Sequence, residues 1–100
     1  MTRLRCGAVV SGAFIDYLES VYEKEQHLHP GEIFVIEYLR CADGNRAGKA
    51  WWTQCWASRD GMPDYQIHRV GGVEVYLPSG TAAGLSGRFV DYKDDEIRVT

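Results

Sequence analysis

Val70-Gly71-Gly72-Val73-Glu74-Val75-Tyr76-Leu77-Pro78-Ser79-Gly80-Thr81-Ala82-Ala83-Gly84-Leu85-Ser86-Gly87-Arg88-Phe89-Val90-Asp91-Tyr92 is the stretch that decides the fold. Val73, Val75 and Leu77 alternate with Glu74 and Tyr76, the period of a strand with one buried face. Gly71-Gly72 before it and Pro78-Ser79-Gly80 after it carry turn chemistry. A small-residue segment reaches Leu85 and Gly87, and residues 89–92 read as a further strand.

Upstream, residues 4–10 read as a short first strand. Ser11 is placed to cap a helix, with Asp16 and Glu19 early enough to favour its positive end. At 100° per residue, Phe14, Ile15, Tyr17, Leu18, Val21 and Tyr22 share one arc. Glu25 returns to that arc, so the helix is expected to fray there, and Pro30-Gly31 stops it. Residues 33–41 form the strongest strand. Ile33, Val35, Leu39 and Cys41 fall on one face; Phe34, Ile36 and Tyr38 fall on the other. Apolar residues on both faces predict a central strand or a second covered face. Residues 42–49 read as a polar loop and residues 50–58 as the next strand. There Trp52, Gln54 and Trp56 oppose Trp51, Thr53 and Cys55. Residues 59–63 turn, residues 65–70 return as a strand, residues 93–96 turn again, and residues 97–99 close the sheet. The expected fold class is α+β: one domain over residues 1–100, with about six or seven short, mostly antiparallel strands and one main N-terminal helix.

Composition narrows the function. The chain is 45% hydrophobic and 25% charged, which fits a folded globule rather than a disordered segment. Its net charge of −3 supplies no basic field for nucleic acid. No apolar run reaches the roughly 20 residues of a membrane helix. Arg3 and Arg5 before an apolar stretch loosely imitate an export signal, but Gly7, Ser11, Gly12 and Asp16 interrupt it. The three cysteines, Cys6, Cys41 and Cys55, are therefore read as free thiols in a reducing cytoplasm.

The stretch quoted above resembles the HesB/IscA-like family, the A-type iron–sulfur carriers. Gly72-Val73-Glu74-Val75-Tyr76-Leu77 matches the family's Gly-Val-x-Val-x-Val. Leu85 stands eight residues on, Gly87 follows, and Asp91-Tyr92 completes the pattern. The resemblance implies the scaffold and puts Cys41 near the position of the first cluster ligand. The family's Cys-Gly-Cys is absent from these 100 residues. A cluster iron takes about four ligands, and two chains meeting at Cys41 supply two thiolates.

Other constellations are weak. His27-x-His29 could hold a metal with Cys41 or Cys55, or simply sit near a helix C-terminus. Residues 44–50 glance at a phosphate loop but lack its spacing and its Ser/Thr. Ser86, His68 and Asp91 form a triad only on paper, and the acidic run of residues 91–96 lacks calcium-loop spacing. The aromatic residues Trp51, Trp52, Trp56, Phe34, Tyr38 and Tyr76 are the strongest feature. They are either core, or an exposed face for self-association or binding. The expected protein is a non-catalytic binding module with no resident cofactor. It is expected to be a homo-oligomer, a dimer, with a protein or small molecule as possible ligand and with neither nucleic acid nor membrane as partner. The alternatives are iron or iron–sulfur binding through Cys41 across a dimer, and a small enzyme with His68 as general base.

Overall fold

The computed structural model describes residues 1–40, 49–61 and 64–100. Cys41 and most of the loop compared with a phosphate loop lie outside them, as do Met62 and Pro63 of the second turn. In chain order the elements begin with β1 (Thr2–Arg3), β2 (Val9–Val10) and α1 (Gly12–Glu25). They continue with a 3-10 turn (Gln26–Leu28), β3 (Ile33–Arg40), β4 (Ala50–Ala57) and a second 3-10 turn (Arg59–Gly61). The rest are β5 (Tyr65–Val70), β6 (Val73–Pro78), α2 (Ser79–Leu85), β7 (Phe89–Lys93) and β8 (Glu96–Val99). The strands form two four-stranded sheets, ordered β1-β2-β7-β8 and β4-β3-β6-β5. Each sheet is mixed: β2 runs parallel to β7 and β3 parallel to β6, and the remaining pairs are antiparallel. The fold is α+β, with one main helix near the N-terminus.

The helix starts where the sequence places it. Ser11 is extended (φ −79°, ψ 161°), and its Oγ accepts from the Phe14 amide at 3.1 Å. The first turn of α1 holds no acidic residue, because Asp16 lies one turn too far along. The carboxylate near this helix end comes instead from β7, where Asp91 accepts a 2.5 Å hydrogen bond from the Ser11 hydroxyl. At the other end, Glu25 does face inward, and it accepts from the Trp56 indole at 3.0 Å.

Residues 4–10 do not make one strand. Gly7 adopts φ +97°, which an L side chain rarely tolerates. The segment folds back there, with the Leu4 amide bonding the Ala8 carbonyl at 2.7 Å, and it splits into β1 and β2.

The core lies between α1, α2, the inner face of the β4-β3-β6-β5 sheet and the smaller sheet. Phe14 and Leu18 from α1 meet Phe34, Ile36 and Tyr38 from β3 and Val73, Val75 and Leu77 from β6. Leu85 of α2, Leu4, Val10 and Val90 close the far side. Burying each such side chain contributes about 1.5–3 kcal/mol. The outer face of β3 carries a smaller buried cluster of Ile33 and Val35 with Tyr76. The central position expected for this strand is therefore observed, with β4 on one side and β6 on the other.

Candidate functional site

The aromatic residues divide between the two faces of the β4-β3-β6-β5 sheet. Phe34 and Tyr38 are buried beneath the helices at 2% and 4% exposure. Trp52 and Trp56 are half-buried on the same inner face. Trp52 meets Phe14 edge-on at 5.6 Å and lies 6.3 Å from Tyr38; Trp56 lies 5.0 Å from Phe34 and stacks with His29 at 5.1 Å. Tyr76 belongs to the outer face but is 2% exposed. The Arg59 guanidinium lies over its ring and donates to its hydroxyl at 2.8 Å, and Tyr65 packs beside it. Trp51 is 42% exposed on the outer face, directly across from Leu39 at 56%. Of the two readings of these rings, core or exposed face, each holds for some of them: Phe34, Tyr38 and Tyr76 are core, Trp52 and Trp56 are half-buried beside it, and Trp51 is exposed.

The exposed feature that remains is an edge. β4 is the terminal strand of its sheet, pairs only with β3 among the described residues, and reads Ala-Trp-Trp-Thr-Gln-Cys-Trp-Ala over eight residues. It carries no charge, no proline and no glycine. Natural sheet edges are usually blunted by charge, shortness or cover, and the other three edges here are. β1 has two residues, and β8 has four, with Glu96 and Arg98 among them. β5 carries Arg69, and the Arg5 guanidinium donates to the Ile67 carbonyl.

The side chains of β4 are firmly placed. On the inner face the Trp52 indole donates to Gln54 at 2.8 Å, and the Gln54 amide donates to the Tyr17 hydroxyl at 3.3 Å. Tyr17 stacks on Tyr92 at 4.0 Å. On the outer face Thr53 and Cys55 are exposed. Partial burial, with Glu37 nearby, pushes the Cys55 thiol above its ordinary pKa, so it stays protonated at neutral pH. A protonated thiol is a poor nucleophile and a poor metal ligand.

The remaining candidates are kept apart. Asp91 is engaged by Ser11, and His68 by Gln66 at 3.0 Å, so Ser86, His68 and Asp91 form no hydrogen-bonded triad among the described residues. His68 lies on the edge strand β5, not in mid-sheet, and is 3% exposed. Burial and then the Arg5 charge hold its imidazole below the usual value. His29 packs on the inner face and bonds Glu32 at 3.1 Å, while Cys55 faces outward. No group of three potential metal ligands occurs among the described residues. The core leaves about 10 Å³, lined by apolar side chains. A groove of about 540 Å³ between Tyr92 and the face of α1 bearing Asp16, Ser20 and Lys24 is open and of mixed polarity.

Sequence reasoning missed two placed polar groups. Thr81, 1% exposed, accepts from the Tyr38 amide at 3.0 Å and so takes up a backbone donor of β3. Glu19 reaches the Gly72 amide at 2.8 Å. Neither has a local sequence signal, since their partners stand 43 and 53 residues away.

Comparisons with family models, with curated proteins and with solved structures return no significant match, and none of them identifies a HesB-like fold.

Proposed function

We propose that this chain is a non-catalytic interaction module that works as a homo-oligomer, making its contacts along the β4 side of the larger sheet. The observation that carries this reading is the eight-residue edge strand without a charge, beside the exposed pair Leu39 and Trp51. An edge of this kind offers a row of main-chain donors and acceptors to another strand. Charge begins only beyond the ends of β4, with Lys49 before it and Arg59 and Asp60 after it, and the Arg59 guanidinium is turned onto the Tyr76 hydroxyl. The engagement of Asp91 by Ser11 and of His68 by Gln66, rather than by one another, supports the non-catalytic part. From the HesB-like pattern of residues 72–92 the reading takes a scaffold and no iron chemistry.

Size-exclusion chromatography with light scattering tests it. The expected mass is a multiple of the 11.3 kDa chain, with twice that mass at low concentration. A particle of single-chain mass at every accessible concentration overturns the reading.

A further inference from the structure

We infer that β4 pairs antiparallel with β4 of a second copy, about a two-fold axis through Gln54, so that two four-stranded sheets become one of eight strands. The inference rests on the self-association proposed above and adds the surface and register by which it occurs.

The second copy is the occupant that the edge itself fits. β4 lacks charge along all eight residues. An acidic chain of net charge −3 can therefore align these eight residues with their own copy without setting like charges opposite one another; the nearest like pair, Lys49 and Arg59, falls beyond the strand ends, where Arg59 is held on Tyr76. No other edge has this property among the described residues, since β5 and β8 carry charged side chains and β1 is two residues long.

The register follows from symmetry and alternation. A two-fold axis joining antiparallel strands stands perpendicular to the sheet, so each residue meets one pointing to the same face. The axis therefore passes through a residue, never between two. Four residues are central enough to serve: Trp52, Thr53, Gln54 and Cys55. An axis at Trp52 sets that indole opposite its own copy once, and leaves Trp56 opposite residue 48, before the strand starts at Ala50. An axis at Thr53 sets Trp56 opposite Ala50. An axis at Cys55 sets Trp52 opposite Ser58, beyond the end of the strand at Ala57. An axis at Gln54 sets Trp52 opposite the second copy's Trp56 on the helix-covered face, and repeats the pair by symmetry. Aromatic pairs directly across strands are among the more stabilising. Both indoles are half-buried in the single chain, so surface remains for the partner to cover. On the outer face this axis sets exposed Thr53 opposite exposed Cys55.

The test reads that last pairing. In a Cys6→Ser, Cys41→Ser background, one chain keeps Cys55. A second, larger tagged chain carries Thr53→Cys and Cys55→Ser. Equal amounts are mixed, equilibrated, oxidised with diamide and run on a non-reducing gel, with circular dichroism and light scattering on each chain beforehand. The expected result is loss of both monomer bands into a mixed dimer that exceeds either homodimer. Excess of the homodimer through the introduced thiol, or through Cys55, overturns the Gln54 axis. A dimer by light scattering that gives no cross-link shows that the edge is not the interface, and leaves the self-association standing. Monomers by light scattering overturn both.

Discussion

Single residues do work in this fold that depends on partners far along the chain. Ser11 accepts from the Phe14 amide and donates to Asp91, joining the start of α1 to β7. The Ser11 hydroxyl, then the Tyr92 amide, holds the Asp91 carboxyl below the usual carboxylate range. Ser11→Ala removes a cap and an anchor together, and is expected to lower stability by about 1 kcal/mol, read by urea unfolding. Because the folded pKa of Asp91 is depressed, its contribution is complete above the unfolded value of about 3.9 and fades as pH falls through the folded one. His68 works in the same direction at a higher pH. Its folded pKa is lowered by burial and by Arg5, so the unfolded chain takes the proton first. Stability is expected to decline as pH falls below about 6.5. Urea midpoints measured from about pH 7.5 to about pH 5.5 should show a weaker decline in His68→Gln. An unchanged slope would remove His68 as the group responsible.

At the scale of elements, the antiparallel pairs β5/β6 and β7/β8 each close through a two-residue turn. β5 and β6 join through Gly71-Gly72 between paired Val70 and Val73, with φ +62° at Gly71. Positive φ at the first of two loop residues is the II′ arrangement that suits the right-handed twist of a hairpin. A Cβ at Gly71 would also stand 2.5 Å from Ile15 Cγ2, so the turn is pressed against α1. Gly71→Ala is expected to cost about 1–3 kcal/mol, measurable as a lower urea midpoint with the fold retained. Between β7 and β8 the loop residues Asp94 and Asp95 both have positive φ, at 55° and 62°. The turn at residues 93–96 was legible from its polarity, but its left-handed backbone was not, since aspartate is compatible with several turn types.

At the scale of the molecule, the unguarded edge is the feature with consequences for assembly. Thr53 is exposed and central in β4, so Thr53→Lys introduces a charge without disturbing the core. Lysine on an edge strand opposes strand addition. The variant is expected to run at single-chain mass in light scattering, with an unchanged far-ultraviolet circular dichroism spectrum. Persistence of the oligomer would place the interface elsewhere.

The elements of the chain were set by local pattern. Alternation at residues 73–77 and at residues 33–40, the Ser11 cap and the apolar arc of α1 all read correctly, because each depends on neighbours a few residues apart. What required the tertiary structure was which face each ring occupies and which strand lies outermost. Trp51 and Trp52 are adjacent in sequence and alike in chemistry, and only the position of α1 makes one half-buried and the other exposed. Tyr76 alternates outward, yet it is buried because the turn carrying Arg59 folds over it. The candidate site is of the same kind. A run of eight uncharged residues announces a strand, but strand order decides that it is an edge, and strand order depends on contacts between segments distant in the chain.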